Sequence, residues 1–348
     1  MVVHEYNMEE VGNVDARGDP HGELLNQNVL TKIPVKSPLI TDSDKYKAAL
    51  TEANKILFSE RLTRPRPGLD IKIVSCWNSQ MISSFCKAAT VTENKDYLET
   101  ALKAGQFLRN TLWCDSKRRL LRCVYGNKEN ISNLEDPIEG FVDDYCLTVA
   151  ACIDLYSATF DETWLRFGIQ VQEVQDELFL DRENGGYFTS RQGDPEIVIR
   201  LKDDQDGAEP SSNSVSTMNL FRLGRILNKS EYSVEAEKII KLYAERMIQI
   251  PHGLPAMVEA YLHHHQDNPI LVVAGDTEKH SLLRHIHTNH YPSYDIIKPG
   301  ELIDSCFPGL KDLEKDRNGV YFLKNEKLSE LITEVDQFKE ILKSYNSE

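Results

Sequence analysis

Residues 141–160, with the sequence FVDDYCLTVAACIDLYSATF, decide the fold of this chain. Written as a helix, this stretch is apolar around most of its circumference, which is typical of a helix buried on several sides. Residues 73–91 and 214–227 have the same character. Each of the three stretches is followed by an amphipathic one, such as residues 98–112, where apolar residues recur at steps of three and four. We therefore predict buried inner helices, each paired with an amphipathic outer helix.

The helix pairs repeat at an almost constant interval. Tyr97 and Trp164, each near the start of an outer helix, are 67 positions apart, and Trp164 and Tyr232 are 68 apart. The same offsets connect three residues near the starts of the inner helices, namely Asn78, Tyr145 and Asn213. Helix pairs that repeat in this way predict a mainly α fold of the (α/α) toroid type. We expect the polar starts of the inner helices to meet at a shared hollow.

Three regions follow from this pattern. Residues 1–40 are polar and contain several Gly and Pro residues, so we expect an extended or partly disordered segment. Residues 41–268 contain the helical hairpins of a partial toroid. Residues 269–348 begin with the apolar run ILVVAG at 270–275, which is typical of a buried strand, and we expect a small α/β appendage there.

Composition and charge exclude several classes of partner. The formal net charge of −15 over 348 residues argues against a nucleic-acid-binding protein, which needs a basic face. The chain contains no apolar run of the roughly 20 residues that cross a bilayer, so we expect no membrane partner. The first residues lack the features of a signal peptide, and the seven cysteines form no CxxC pair. We therefore expect a cytoplasmic protein without disulfides.

Five sequence strings, taken in order and spacing, resemble the C-terminal half of the spermatogenesis-associated protein 20 family. They are GDPHGELLNQNVL at 18–30, RPRPGLDIKIVSCWNSQMISSF at 64–85, GFVDDYCLTVAACIDLY at 140–156, GGYFT at 185–189 and DGAEPSSNSVSTMNLFRL at 206–223. The resemblance implies a six-hairpin, glycosidase-like toroid similar to the N-acylglucosamine 2-epimerase fold. The family name implies a link to spermatogenesis.

The sequence also departs from that family. Family members join a thioredoxin-like module to the toroid, and neither this module nor the first hairpins of the toroid have a counterpart here. Ile71 and Ser79 stand where the family usually has Asp and Gly. We therefore expect an incomplete toroid from a truncated family member, in which any redox role of the family is missing.

Three acidic residues are candidates for catalysis. Asp143 and Asp144 begin one inner helix, and Asp206 precedes the next. Glycoside hydrolysis uses two carboxyl groups that flank the bond to be cleaved. Adjacent residues on a helix point about 100° apart, so Asp143 and Asp144 are unlike such a pair. Either one faces the pocket while the other caps the helix, or both are caps.

Six further residues are candidates for substrate binding: Trp77, Asn78, Tyr145, Tyr187, Ser212 and Asn213. An exposed Trp77 would stack on a sugar ring, whereas a buried one is a core residue. Tyr187 either reaches over the mouth of the ring or is an ordinary strand residue. Ser211 or Ser212 is the expected N-cap of its helix.

No residue pattern indicates a metal or a cofactor. His263, His264 and His265 are consecutive and cannot share one face of a helix. The remaining histidines lack the spacing of a metal site, and neither a Walker loop nor a GxGxxG motif is present. We therefore predict neither a metal nor a cofactor.

Two hypotheses for function remain open. In the first, the toroid has a pocket for a carbohydrate or another small polar ligand and acts as, or derives from, a hydrolase or epimerase. In the second, it is a non-catalytic scaffold that binds a protein partner. An incomplete ring exposes apolar edges, so we also expect self-association.

Overall fold

The computed structural model describes residues 2–32, 44–126, 130–132, 137–266, 268–277, 280–289, 294–311, 313 and 317–345. The helices are α1 (Val2–Glu5), α2 (Asp44–Leu62), α3 (Ser75–Thr92), α4 (Lys95–Phe107), α5 (Val142–Thr159), α6 (Glu162–Phe179), α7 (Ser212–Ile226), α8 (Ser230–Gln249), α9 (Pro255–His265), α10 (Ser281–Thr288), α11 (Glu301–Cys306) and α12 (Val335–Tyr345). The strands are β1 (Lys72–Val74), β2 (Trp113–Cys114), β3 (Arg119–Leu120), β4 (Cys123–Gly126), β5 (Ile131–Ser132), β6 (Ile270–Ala274), β7 (Ile296–Ile297), β8 (Gly319–Lys324) and β9 (Lys327–Leu328).

The chain divides into two compact units, Met1–Asp70 and Ile71–Glu348. The first unit contains α1, a series of turns and α2. Inside it, the Tyr46 hydroxyl donates to Glu5 Oε2 over 2.6 Å. The segment that we expected to be extended or partly disordered therefore has local structure over residues 2–32, and residues 33–40 lie outside the described residues. Helix α2, which we assigned to the partial toroid, belongs to this first unit.

The second unit is built on helical hairpins, as predicted. Helices α3, α5, α7 and α9 are the inner helices, and each contacts the next one in the chain order. Helices α4, α6 and α8 are their outer partners. Helix α5 lies in the middle of the row, and 13 of its 18 residues are buried. The arrangement is that of an incomplete (α/α) toroid.

The repeat is also visible in the ends of the inner helices. Glu93, Phe160 and Asn228 follow α3, α5 and α7, and all three adopt the left-handed conformation, with φ of 57°, 58° and 52°. They are separated by 67 and 68 positions, like the landmarks in the sequence. A left-handed residue ends a helix and turns the chain back on itself. The chain therefore turns from the inner to the outer helix of each hairpin through a residue in the same left-handed conformation.

The hairpins pack closely at Gly105, which has no side chain. A Cβ atom added to Gly105 on α4 would lie 2.8 Å from Leu155 Cδ1 and 3.0 Å from a ring carbon of Trp164. These distances are shorter than van der Waals contact, so only glycine permits α4 to approach α5 and α6 this closely.

A short antiparallel sheet lies beside the starts of two inner helices. Strand β4 pairs with β1 on one side and with β5 on the other, and Val74 is opposite Cys123. Because α3 begins directly after β1, this pairing places the neighbouring Arg122 near the first turns of α3 and α5.

The C-terminal appendage contains the predicted strands in a four-stranded sheet of order β7-β6-β8-β9. Side chains on β6 alternate between two cores. Val272 and Ala274 belong to the core of the helical hairpins, whereas Leu271 and Val273 pack with residues of α10 and α12. One face of the sheet therefore packs on the hairpins, and the appendage and the hairpins belong to one compact unit.

A buried network of charges also joins the appendage to the inner helices. Asp295 is 2% exposed and accepts a hydrogen bond from Arg225 Nε over 2.7 Å. Arg222 pairs with Asp295 at 3.6 Å and with Asp154 at 2.7 Å, and His263 Nε2 lies 3.3 Å from Asp295. Burial acts to raise the pKa of Asp295, but the hydrogen bond with His263 and the charges of the neighbouring His263, Arg225 and Arg222 outweigh it and lower the pKa to about 2.

Among the residues that the structure describes, no helix is both long enough and apolar enough to cross a lipid bilayer.

Candidate functional site

A cavity of about 560 Å³ lies at the starts of α5 and α7. The long connection between α6 and α7 forms one wall, and the first turns of the two helices form the other. The lining residues are Arg122, Phe141, Val142, Asp143, Thr189, Ser190, Ile197, Ile199, Leu201, Asp203, Gln205, Glu209, Pro210, Ser211 and Ser212. Two smaller cavities, of about 290 and 280 Å³, lie next to α10 and α8 and contain fewer carboxylates in their walls.

Asp143 faces this cavity as one half of an ion pair. Its Oδ2 atom accepts a hydrogen bond from Arg122 Nη1 over 2.6 Å. The guanidinium carbon of Arg122 lies 5.7 Å from the centre of the Phe141 ring, which also lines the cavity. The two charged side chains are about 30% exposed, so the pair is open to a ligand.

Asp144 lies behind the cavity and holds the helices together. Its side chain is fully buried and accepts hydrogen bonds from the backbone amides of Cys76 and Phe141 and from Arg122, each over 3.0 Å. Burial and then the charge of Asp143 raise the pKa of Asp144 to about 7, while Arg122 opposes the shift. Of the two adjacent acids, Asp143 thus lines the cavity and Asp144 caps the start of α5.

The same acids and Cys76 form a group whose ligand atoms lie within 4.8 Å of one another. Arg122 Nη1 already lies among them, since it bonds both carboxylates and is 3.6 Å from Cys76 Sγ. Burial raises the pKa of the Cys76 thiol far above its usual range. The guanidinium therefore supplies the positive charge that this group of acids requires.

Asp206 has the same structural role as Asp144 at the other side of the cavity. One carboxylate oxygen accepts from the Ser211 amide and the other from the Ala256 amide, each over 2.8 Å. These amides belong to the first turns of α7 and α9. Both oxygens of Asp206 are therefore bound to helix starts, and the residue does not line the cavity.

Sequence reasoning missed Asp203, which does line the cavity. Its Oδ2 atom accepts from the Ser212 amide over 3.2 Å. Its Oδ1 atom is buried and has no hydrogen-bond partner among the described residues. Burial raises the pKa of this carboxyl. The run Lys-Asp-Asp-Gln-Asp at 202–206 was the available signal, but it looks like an ordinary solvated loop.

Glu209 was also missed, and it connects the cavity to Trp77. Its Oε1 atom accepts from Trp77 Nε1 over 2.9 Å and its Oε2 atom from Gln80 Nε2 over 3.1 Å. Trp77 is 53% exposed and is therefore not the core residue of the alternative interpretation. Its indole N–H therefore contacts a residue of the cavity wall directly.

Asn213 and Tyr187 lie in the core, where they bind each other. The Asn213 amide accepts from the Tyr187 backbone N–H over 2.8 Å and donates to the Tyr187 carbonyl over 3.0 Å and the Asp203 carbonyl over 2.7 Å. The Tyr187 hydroxyl donates to Asp176 over 2.5 Å. The structure therefore places Tyr187 in the core, between α6 and the first turn of α7, and not over the mouth of the ring.

Tyr145 and Asn78 also bond to nearby backbone. The Tyr145 hydroxyl accepts from the Leu120 amide over 2.9 Å, and Asn78 donates to the Val74 carbonyl over 2.8 Å. Together with Asn213, these residues occupy equivalent positions near the helix starts, but they do not line the cavity. The expected convergence of the three on one hollow is not observed, because each side chain satisfies backbone groups beside its own helix.

Ser211 and Ser212 both line the cavity, and Ser211 is also the N-cap of α7. The Ser211 hydroxyl accepts from the Ser214 amide over 3.1 Å. The starts of α5 and α7 therefore contribute Asp143 and Ser212 from the predicted set, and the loop contributes Asp203 and Glu209.

Comparison with curated proteins relates the chain to one family. It is 32% identical over 360 residues to spermatogenesis-associated protein 20 of Rattus norvegicus, which corresponds to 98% of this chain and 45% of that protein. The Homo sapiens protein is 31% identical over 358 residues, with the same coverage. An uncharacterized protein of Caenorhabditis elegans is 34% identical over 288 residues, which is 81% of this chain and 39% of that one. No family model matches the chain.

Solved structures with related helical folds are more distant. Cellobiose 2-epimerase from Bacillus thermoamylovorans is 17% identical, with a TM-score of 0.42 over 51% of this chain and 46% of that chain. An α-mannanase of glycoside hydrolase family 76 from Bacteroides thetaiotaomicron is 13% identical, with a TM-score of 0.45 over 78% and 71%. A D-mannose isomerase is 11% identical, with a TM-score of 0.44 over 88% and 82%. Over 98% of its length this chain is therefore similar to spermatogenesis-associated protein 20, and it spans about half the length of the curated relatives that it matches.

Proposed function

We propose that the cavity at the starts of α5 and α7 binds a carbohydrate. The observation that supports this most directly is Asp203 Oδ1, which is buried beside the cavity and has no donor among the described residues. A buried acceptor without a partner is costly, and a ligand hydroxyl or ammonium group would supply the missing hydrogen bond.

The rest of the wall suits the two chemical faces of a sugar. Ile197, Ile199 and Leu201 give an apolar side on which C–H groups of a sugar ring pack. Asp143, Asp203 and Ser212 give a polar side that accepts hydrogen bonds from its hydroxyls. Pockets for small ligands combine a largely apolar wall with a few directed polar groups.

The charges favour a neutral or cationic sugar over an anionic one. Three carboxylates line the cavity, at Asp143, Asp203 and Glu209, and Arg122 is the one cation among the described lining residues. Arg122 is already paired with Asp143 and with Asp144. A uronide or a sugar phosphate would therefore enter a negative field with no free cation to receive it. An amino sugar would bring the positive charge that these acids lack.

The same acids suggest how the site would catalyse a reaction. Glycoside hydrolysis and related acid–base chemistry need two carboxyl groups in different environments. Asp203 has a raised pKa and an uncommitted oxygen, so we assign it the role of general acid. Asp143, paired with a guanidinium, is the second carboxylate. This replaces the initial choice of Asp144 and Asp206, whose oxygens are bound to helix starts.

Isothermal titration with glucose, mannose, glucosamine and glucuronic acid tests the proposal. We expect glucosamine and the neutral sugars to bind and glucuronic acid to fail. Asp203→Asn should weaken binding about tenfold, because one hydrogen bond to a charged group contributes about 1.5 kcal/mol or more. Asp204→Asn is the matched control, because this neighbouring acid pairs with Arg246 and does not line the cavity. Absence of binding by the whole panel, or equal effects of the two variants, would contradict the proposal.

The apolar face of α9, at one end of the row of inner helices, favours a second function, which is association of two copies of the chain. On α9, Tyr261 and Leu262 are 40% and 50% exposed. We infer that this face associates with a second copy. Sedimentation equilibrium over a hundredfold range of concentration should show a dimer that Leu262→Glu dissociates. A monomer at every concentration would exclude this function.

We also infer a cytoplasmic location. In the described part of the chain all seven cysteines are free thiols, and five of them are buried. Unpaired cysteines in this number are typical of a reducing compartment. Cell fractionation of a tagged full-length relative would test this, and recovery in the secreted fraction would contradict it.

A further inference from the structure

Trp77 differs from the other two tryptophans of the chain. Trp113 and Trp164 are 6% and 5% exposed and belong to the core, whereas Trp77 is 53% exposed. An exposed indole offers a flat apolar surface together with a polar N–H edge. Trp77 is therefore a candidate for ligand binding outside the cavity itself.

The ring is held in one orientation by the wall of the cavity. Its Nε1 atom donates to Glu209 Oε1 over 2.9 Å, although the two residues are 132 positions apart. Gln80, one turn further along α3, holds the other oxygen of Glu209. Because both oxygens of Glu209 are bound by α3, the indole ring is anchored at its N–H edge, while about half of the Trp77 surface stays exposed.

The surface next to the ring is also apolar. Met81 lies four positions after Trp77 on α3 and is 53% exposed as well. Residues four apart are neighbours on one helix face, so the two side chains form a continuous shelf. We define the outer shelf as Trp77 and Met81.

We propose that the outer shelf is a second sugar subsite, so that the ligand is an oligosaccharide and not a single sugar. This rests on the proposed function, in which the cavity holds the first sugar ring. The next sugar ring of the oligosaccharide lies outside the cavity, beyond Glu209, and stacks on the indole face of Trp77. The C–H face of a sugar ring matches a flat aromatic surface, while Glu209 accepts hydrogen bonds from hydroxyls at the edge.

A chain-length series tests the proposal with the intact chain. Titrations use glucose, mannose, and their oligosaccharides of two to four units. We expect the affinity of the protein to rise about tenfold when the ligand has two or more sugar units instead of one. Trp77→Ala should abolish this rise while leaving the affinity for the single sugar unchanged. Gln80→Ala is the control, since it removes the neighbouring contact to Glu209 but keeps the indole ring.

Tryptophan fluorescence supplies an independent measurement. Since Trp77 is the exposed one of the three tryptophans, quenching by acrylamide reports mainly on this residue. Oligosaccharides should protect it from quenching, and single sugars should protect it little. Trp77→Phe should remove the protected signal.

The outcomes separate the two proposals. If single sugars bind and Asp203→Asn weakens them, but Trp77→Ala leaves the chain-length series unchanged, the outer shelf is not a subsite and the cavity proposal stands. If no sugar of any length binds, both proposals are overturned.

Discussion

The carboxylate of Asp144, in the first turn of α5, accepts a hydrogen bond from the backbone amide of Cys76 at the start of α3, over 3.0 Å. Asp206 makes the corresponding connection between α7 and α9 through the amides of Ser211 and Ala256. Neighbouring inner helices are thus joined at their N-terminal ends by buried or half-buried carboxylates. Acids favour helix N-termini because the unpaired amides there carry partial positive charge.

We expect Asp144→Ala to lower the free energy of unfolding by about 3 kcal/mol or more, because breaking a buried ion pair leaves polar groups without partners. Urea denaturation monitored by circular dichroism measures this loss. Asp143→Ala is the control. Its carboxylate is 32% exposed and, among the described residues, accepts a side-chain hydrogen bond from Arg122 alone, so its loss should be below about 1 kcal/mol. Equal losses would refute the structural role of Asp144.

Asn213 and Asn78 occupy equivalent positions in the repeat but should differ in their effect on stability. Asn213 is fully buried and makes three hydrogen bonds to backbone groups, whereas Asn78 is half-buried and makes one. We expect Asn213→Ala to cost about 3 kcal/mol and Asn78→Ala about 1 kcal/mol, since each buried group left unpaired costs about 1 kcal/mol or more. Thermal and urea denaturation of the two variants would measure this difference. A larger loss of stability for Asn78→Ala than for Asn213→Ala would show that the three hydrogen bonds of Asn213 are not important for stability.

Asp176 should make stability depend on pH. Burial raises the pKa of Asp176 from its ordinary value of 3.8 to about 6, although the hydrogen bonds from Tyr187 and Gln172 oppose the shift and the nearby Glu235 adds to it. Between these two values the folded state holds the proton more tightly than the unfolded state. The contribution of Asp176 to the free energy of unfolding therefore falls as the pH rises from about 4 to about 6.

The expected fall is at most about 3 kcal/mol, since one pKa unit corresponds to about 1.4 kcal/mol. Urea denaturation at pH 4, 5, 6 and 7 would measure it in the wild type and in Asp176→Asn, which cannot ionise. The difference in stability between the two proteins should shift in favour of the variant as the pH rises. A difference that is constant with pH would contradict the raised pKa.

The buried charges between the hairpins and the appendage should be important for stability. Arg222→Met removes a guanidinium, 18% exposed, from between Asp154 and Asp295. We expect a loss of about 3 kcal/mol, because it leaves two buried carboxylates short of positive charge. Limited proteolysis should then cleave residues 269–348 faster. Arg246→Met removes a 48% exposed partner of Asp204 and should cost less than about 1 kcal/mol. Equal protease resistance of the two variants would contradict this role.

Helices and hairpins could be predicted from the sequence because their signals are local. The apolar period within residues 141–160 and the offsets of 67 and 68 positions need no knowledge of the partner surfaces. The strand at 270–275 was predicted for the same reason, since a short apolar run indicates burial whatever covers it. What the two faces of β6 contact could not be predicted, because both are apolar and only the tertiary structure shows the partner of each.

The candidate site was harder to predict. Asn78, Tyr145 and Asn213 were chosen because they are equivalent in the repeat, yet each bonds to backbone beside its own helix. Asp203 and Glu209 lie in a loop without periodicity, and their position beside the cavity depends on the path of the chain between α6 and α7.

The sequence by itself determined that this protein consists of repeated helix pairs with polar starts and a small α/β appendage, because burial periodicity is a property of each segment. Only the tertiary structure decided which acid faces the cavity and which one caps a helix. That choice depends on where the amides of Cys76 and Ala256 and the guanidinium of Arg122 come to lie, and these groups are far from the acids in sequence.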